Sequence, residues 1–430
     1  MKIDYHIQGG RVIDPATDFD AICDLWITDG KIYYEPPSKT TKSVLKKTIY
    51  ASGKIIMPGL IDLRCHIRNT TKEIIKATCK AAADGGYTSI LAMPDFTPTA
   101  DNAGSITLIK NTVKKESSIN LMLSGCLTQN AEGRQLAPLG SLKESGVVAV
   151  TDCPKSPQDN EIFSKCIEYS KMFDLPVIDL PREITLSRNG SAHDGVTALK
   201  MGLTGIPRIA EELFVQRAII LSKQINTKIH LSSISSFGSV ELLKKAKSQK
   251  INITADITPH HLCLTDSSIV GYETNAKTMP PLREEKDRKA LLEGLLDGSI
   301  DGICSSHESF PEYYKNVEFD KAPFGITSYE TALPVVHAAL NKITDSTTLL
   351  LRITKWMSYN PAKILNLDKG SLKTGKDADL MIYDENEEWE FQHSNVYDRY
   401  INSPFTGKRQ KGKVIATFVG GRCIFGDRNT

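Results

Sequence analysis

The sequence predicts an α/β fold: a (β/α)8 barrel of the TIM type with a small β-sandwich-like domain built from both chain ends. Three observations lead there. Apolar, β-branched runs alternate with stretches of helical period through the middle of the chain. Both ends show period-two alternation punctuated by Gly-Gly and Asp-Gly turns. The chain's 430 residues exceed one ordinary core and call for a large unit plus a smaller one.

In order along the chain, residues 1–57 carry "YHIQGGRVID" and "DLWITDGKIYY", short strands joined by tight turns. Eight apolar runs follow: "GLIDLRCH" at 59–66, "YTSILAM" at 87–93, "INLMLSGC" at 119–126, "VVAV" at 147–150, "PVIDL" at 176–180, "KIHLSS" at 228–233, "INITADI" at 251–257 and "IDGICSS" at 300–306. Amphipathic segments such as "IPRIAEELFVQRAIILSKQ" and "REEKDRKALLEGLLDG" lie between them. Continuous apolar strands alternating with helices make a parallel sheet covered on both faces. Eight such units in about 300 residues fit a barrel, placed at 58–365. A doubly wound open sheet is the alternative, but no G-x-G-x-x-G follows the first strand. The β style resumes in "DADLMIYD" and "GKVIATFVGGRCIFG". Because chain ends often lie close together, residues 1–57 and 372–430 are assigned to one composite β-domain.

Composition narrows the function. A net charge of +2 gives no strong field toward nucleic acid or membrane, so neither is an expected partner. Nine scattered cysteines without a C-x-x-C argue against a disulfide framework and fit reduced thiols in a cytosol. The N-terminus shows no secretory leader, and no run approaches the roughly 20 apolar residues that span a bilayer. A cytoplasmic protein is expected.

Barrel chemistry sits at the C-terminal ends of the strands. Those ends carry Arg64 with His66, Asp95, Asp152, Leu180, His230, His260 with His261, and Ser306 with His307. The blocks "MPGLIDLRCHIR", "AAADGGYTSILAMPDFTPTADN", "ITADITPHHLCLTD", "MPPLREEKDRKALLEGLLDGSIDGI", "APFGITSYETALP" and "YNPAKILNLDKGSLKTGKDADLMIYD" span most of the chain. They resemble the dihydroorotases of the amidohydrolase superfamily, of the type that accompanies aspartate transcarbamoylase.

The resemblance implies two metal ions held by a His-x-His pair, a bridging carboxylate, two later histidines and a late aspartate that is also the general base. Here the first histidine falls on Arg64 and the second is kept as His66. The bridging carboxylate falls on Asp152, the next histidine on Leu180, the following one on His230 and the late aspartate on Ser306. Three ligand positions, Arg64, Leu180 and Ser306, are thus lost. Among the implied substrate contacts Arg68 is kept, an asparagine has become Asp95 and another has become Met279. A carboxylate-bearing substrate would meet a like charge at Asp95.

A hydrolytic metal lowers the pKa of bound water toward about 7 and needs about three protein ligands plus an open position. Each metal position here keeps one histidine and a share of Asp152, while Arg64 adds a fixed cation. At about 4 Å and an effective dielectric of about 20, two unit charges repel by ~4 kcal/mol. No cofactor is therefore expected, zinc being the cofactor if an altered metal site works. Arg64 is expected to pair with Asp152 in the metal's place. His260, His261 and Cys65 read as structural, His307 as the neighbour of the lost aspartate, and Cys153 as a thiol with no second cysteine spaced for a metal.

The resemblance further implies a place in pyrimidine biosynthesis. The expected role is a catalytically inactive structural subunit in an oligomer with the aspartate transcarbamoylase catalytic chain. The alternatives are an active metal-dependent dihydroorotase, or related cyclic-amide hydrolase, with an altered metal site, and a non-catalytic small-ligand-binding protein.

Overall fold

A computed structural model describes residues 2–36, 44–344, 346–392 and 400–426. The chain begins with β1 (Lys2–Asp14), β2 (Phe19–Thr28), β3 (Lys31–Tyr33), β4 (Val44–Tyr50) and β5 (Ile55–Pro58). A barrel follows. Its strands are β6 (Leu60–His66), β7 (Tyr87–Ala92), β8 (Asn120–Gly125), β9 (Ala149–Val150) and β10 (Val177–Asp179). A side excursion holds the parallel pair β11 (Ala192–His193) and β12 (Gly205–Ile206). The barrel resumes with β13 (Ile229–Leu231), β14 (Ile253–Ile257), β15 (Gly302–Ile303) and β16 (His307–Glu308). The chain then returns through β17 (Leu380–Glu390), β18 (Arg409–Val419) and β19 (Arg422–Gly426).

The barrel strands pair in parallel in the order β15-β14-β13-β10-β9-β8-β7-β6-β16. The eighth run, 300–306, supplies only β15, which pairs with β14; the next two residues form β16, which pairs with β6 and brings the ring round to its first strand. Ser306 turns the chain between them at φ +50°. The latch is Asp62, fully buried within β6. It accepts hydrogen bonds from the Ser305 N–H (2.7 Å), the Ser305 hydroxyl (2.6 Å) and the Tyr329 hydroxyl (3.0 Å). The sequence runs at 176–180, 228–233 and 300–306 outlast their ladders, because the chain leaves each ladder for a loop at the C-terminal face, whereas the run at 147–150 starts two residues before β9 and ends with it.

Both ends of the chain lie in a single hydrogen-bonded sheet of eight strands, ordered β19-β18-β17-β5-β1-β2-β3 with β4 against β1. Ile7, Val12, Leu25, Ile27, Ile56, Leu380 and Phe418 form its apolar cluster. Among the described residues no helix is long and apolar enough to cross a membrane.

Helix α1 (Lys72–Asp84) joins β6 to β7 and ends in a carboxylate, where the helix carbonyls already present negative potential. Burial pushes the Asp84 carboxyl up to about 7, with Lys413 pulling the other way. The folded chain thus holds this proton to near pH 7, while the unfolded chain loses it near its ordinary value of 3.8. The group's contribution to stability is present below that value and is lost as pH rises toward 7. Asp84→Asn is expected to stabilise the fold by about 1–2 kcal/mol at pH 8 and to change little near pH 4. Urea midpoints at the two pH values measure this; equal gains at both would contradict it.

Candidate active site

The site is built where β6 ends. Ile61 and Leu63 join an apolar cluster with Leu91, Met93, Ile178 and Leu180. The β6–β7 pairing has a register irregularity between Asp62 and Cys65, and strand alternation puts Arg64 and His66 on one face, where they meet. Cys65 packs in the main apolar core, as its sequence position implied.

Arg64 is 2% exposed. Its Nε–H donates to His66 Nε2 (3.1 Å), one terminal nitrogen donates to Ser233 Oγ (2.9 Å) and the other to the Met279 carbonyl (3.3 Å). Burial works against the guanidinium charge. The nearby Cys153, Cys304, Glu308 and Asp256 favour it, and its pKa lies above the ordinary arginine value.

The expected Arg64–Asp152 pair does not form. The Asp152 carboxylate accepts from the Leu127 N–H (2.9 Å), the Thr128 N–H (3.0 Å) and the Thr128 hydroxyl (2.5 Å), all in the loop after β8. Burial still pushes its pKa up to about 6, against these hydrogen bonds. The reason is local: β9 is two residues long, and the chain turns at Asp152 itself, where the Lys155 N–H closes on the Asp152 carbonyl (2.8 Å). That turn sends Asp152 toward the β8 loop and Cys153 toward His66, with Sγ 3.9 Å from Nε2.

The other nitrogen of His66, Nδ1, lies 2.8 Å from Asp95 Oδ2. Burial disfavours an imidazolium, but Asp95 and then Glu308 outweigh it and move the pKa upward. The Arg64 Nε–H aimed at Nε2 requires a lone pair there. The two contacts pull the ring in opposite directions: Asp95 at Nδ1 and Glu308 favour the imidazolium, while the Arg64 N–H favours a lone pair on Nε2. Asp95 is shared with Arg68, whose Nε is 3.2 Å away. Arg68 also pairs with Glu308 and lies over the Phe310 ring, 5.1 Å from its centroid. The arginine expected to receive an anionic substrate is thus occupied by two of the chain's own acids.

The remaining positions are equally committed. His230 is fully buried, with Nε2 2.9 Å from Asp256 and Nδ1 3.0 Å from the Thr254 hydroxyl. Asp256 also accepts from the Ser233 N–H at 2.6 Å. Leu180 packs with Cys153 and Cys304 and, with Ser233, Met279 and Arg283, lines a residual cavity of about 20 Å³. That is room for about one water. Ser306 sits at the break between β15 and β16. His307 stacks on Tyr329, with centroids 4.1 Å apart, and its Nδ1 accepts from the Ser328 N–H. His261 is held by the Thr258 hydroxyl and the Pro281 carbonyl.

These residues do not fit a metal pair. A guanidinium stands beside His66, His230 is engaged at both nitrogens, and the candidate bridging carboxylate faces away. Among the described residues one other group, His193, Glu284 and Asp287, has its ligand atoms within 4.8 Å of one another. Arg208 bonds both of its carboxylates, at 2.6 Å to Glu284 and at 2.8 and 2.6 Å to Asp287. Arg283 donates to His193 Nδ1 (3.1 Å), which leaves the ring proton on Nε2 and no lone pair there for a cation. In both places an arginine stands where a cation would.

Sequence reading missed Glu308, Asp256, Ser233 and the orientation of Cys153. The acids carry no motif; only the neighbouring His307 and the "IHLSS" run pointed to their surroundings.

A parallel barrel with its polar residues gathered at the C-terminal strand ends, joined to a sheet from both termini, defines an amidohydrolase-type protein. Residues 197–424 match the family described as "Amidohydrolase family", and residues 53–239 match "Dihydro-orotase-like". The chain is 39% identical to a dihydroorotase of Endomicrobium trichonymphae over 97% of this chain and 99% of the relative. It is 38% identical to one of Geotalea daltonii over 97% and 98%. The fold matches the L-hydantoinase (dihydropyrimidinase) of Arthrobacter aurescens with a TM-score of 0.87 at 22% identity, covering 99% of this chain and 96% of that one. The chain belongs to the dihydroorotase family.

Proposed function

We propose that this chain serves pyrimidine biosynthesis as a non-catalytic, dihydroorotase-like subunit assembled with aspartate transcarbamoylase. One observation carries the loss of hydrolysis: the Arg64 guanidinium is hydrogen-bonded to His66, Ser233 and Met279 at the place of a metal ion. The cavity of about 20 Å³ beside it supports the same reading, since neither a cyclic amide nor another small organic ligand fits there. The assembly role rests on the resemblance, together with a complete scaffold: barrel, Asp62 latch and terminal sheet are all in place. Most substitutions destabilise a fold, so unselected decay would have damaged the core as well as the site.

The names of the relatives favour a second reading, an active metal-dependent dihydroorotase, because chains 39% and 38% identical bear that name. Metal analysis and dihydroorotate turnover of the purified chain, with and without added zinc, separate the two. The expected result is substoichiometric zinc and no turnover; stoichiometric zinc with turnover establishes the second reading. For assembly, aspartate transcarbamoylase purified with this chain is expected to differ in oligomeric state and activity from the enzyme alone. Identical behaviour in both preparations would remove the subunit role.

A further inference from the structure

We propose that the solvent face of the helix Ile209–Ile225 is the contact surface of a dimer of this chain, in which the same helix of a second copy packs antiparallel against it. The proposal is independent of the assembly role. The helix buries Phe214, Val215, Ala218 and Ile219 against its own barrel. Its opposite side is apolar as well: Ile209, Leu213 and Ile220 are each about half exposed. With Gln216 they follow one another at steps of four, three and four residues, and so form one stripe along the helix. A helix that is apolar on both sides belongs in an interior. Among the described residues, the chain itself covers one of these two sides.

The stripe continues at both ends. The Glu183 N–H donates to the Ala210 carbonyl (2.8 Å), which sets the exposed Ile184 and Leu186 beside the start of the helix. The Lys171 ammonium donates to the Ile225 carbonyl (2.8 Å), which sets the exposed Met172 beside its end. A twofold contact needs a surface that complements itself. Antiparallel packing about Gln216 supplies this: Leu213 of each copy meets Ile220 of the other, and Met172 of each reaches the Ile184–Leu186 end of the other. Charge obeys the same rule. Glu212 lies in the first turn and Lys223 in the last, so each acid stands within about 3 Å, measured along the axis, of the other copy's lysine. The helix dipoles also oppose one another. A parallel pair would set like charges side by side.

The area sets the strength. The six apolar residues expose about 600 Å² in one chain, the upper end for the largest patch on a monomer. Pairing covers about 1,200 Å² in all, the lower limit for a specific interface. The dimer is accordingly weak, with a Kd of about 10 µM.

The test uses the whole purified chain without aspartate transcarbamoylase, in sedimentation velocity from about 1 to about 100 µM, which brackets that Kd. A monomer–dimer equilibrium is expected. Leu213→Asp places a charge at the centre of the contact and is expected to raise Kd more than about tenfold. Lys223→Glu is expected to raise it about threefold, and Glu212→Lys added to that change to restore it. Lys223 is exposed, so its variant serves if Leu213→Asp does not fold. A monomer at every concentration overturns the proposal, as does a dimer that Leu213→Asp and Lys223→Glu both leave unchanged. A monomer that loses its hold on aspartate transcarbamoylase through Leu213→Asp assigns the face to that partner, and likewise overturns pairing with a second copy.

Discussion

Glu211→Ala is expected to destabilise the fold by about 3–5 kcal/mol, the range for removing one partner of a buried ion pair. Glu211 is 4% exposed on the helix Ile209–Ile225. Its carboxylate accepts from the Ser235 and Ser236 N–H groups, both at 3.0 Å, from the Ser239 hydroxyl at 2.7 Å and from the Ser235 hydroxyl. It also faces Arg283, itself buried, at 3.5 Å. Alanine would strand two backbone donors at the start of the helix Phe237–Ser248 and leave a buried guanidinium without its acid. Arg283 also holds His193 and the Ile206 carbonyl and lines the residual cavity, so the damage reaches the floor of the site. The internal control is Glu284→Ala. Glu284 also pairs with an arginine, Arg208, but is 42% exposed, so a loss of no more than about 1 kcal/mol is expected. Urea unfolding of both variants at unchanged m-value measures the contrast. Similar midpoints would mean that burial does not set the strength of these pairs.

Much of this structure is legible in the sequence where a periodic pattern fixes it. Each of the eight apolar runs holds a barrel strand, because burial on both faces leaves a signal that survives without tertiary context. The loss of His-type ligands at Arg64, Leu180 and Ser306 is equally legible, since residue type alone excludes them as metal ligands. Direction past a strand end is not. Asp152 and Cys153 lie beyond the two-residue β9, where alternation no longer says which side chain faces the chamber. The carboxylate was therefore assigned inward, whereas the thiol points there. The break at Ser306 was hidden for a related reason: it depends on Asp62, 243 residues from Ser305 in sequence. Asp95 was read as a repelled neighbour of a substrate. Its partners, His66 at the end of β6 and Arg68 just beyond it, are brought beside it only by the fold.

Changing Arg64→His, Leu180→His and Ser306→Asp together is expected to create a zinc site with a Kd of about 1 µM or tighter, roughly −8 kcal/mol, without restoring hydrolysis. Removing the guanidinium frees His66 Nε2 and withdraws the fixed cation. The new histidine at 180 faces the same cluster as Cys153 and Cys304, beside the residual cavity. Two or three nitrogens with a carboxylate at 306 satisfy one tetrahedral ion. A second ion needs a carboxylate shared between the two positions, and Asp152 cannot supply it while Leu127 and Thr128 hold it in the β8 loop. The side chain that points into the chamber is Cys153. Adding Cys153→Asp to the triple variant is accordingly expected to raise the zinc content from about one to about two per chain. Turnover would still face Asp95 and Glu308, which occupy the Arg68 guanidinium. Metal analysis after dialysis and dihydroorotate turnover read out both steps. If the triple variant alone binds two ions and turns over, Asp152 must swing inward readily, and its three hydrogen bonds do not fix the site as the geometry implies.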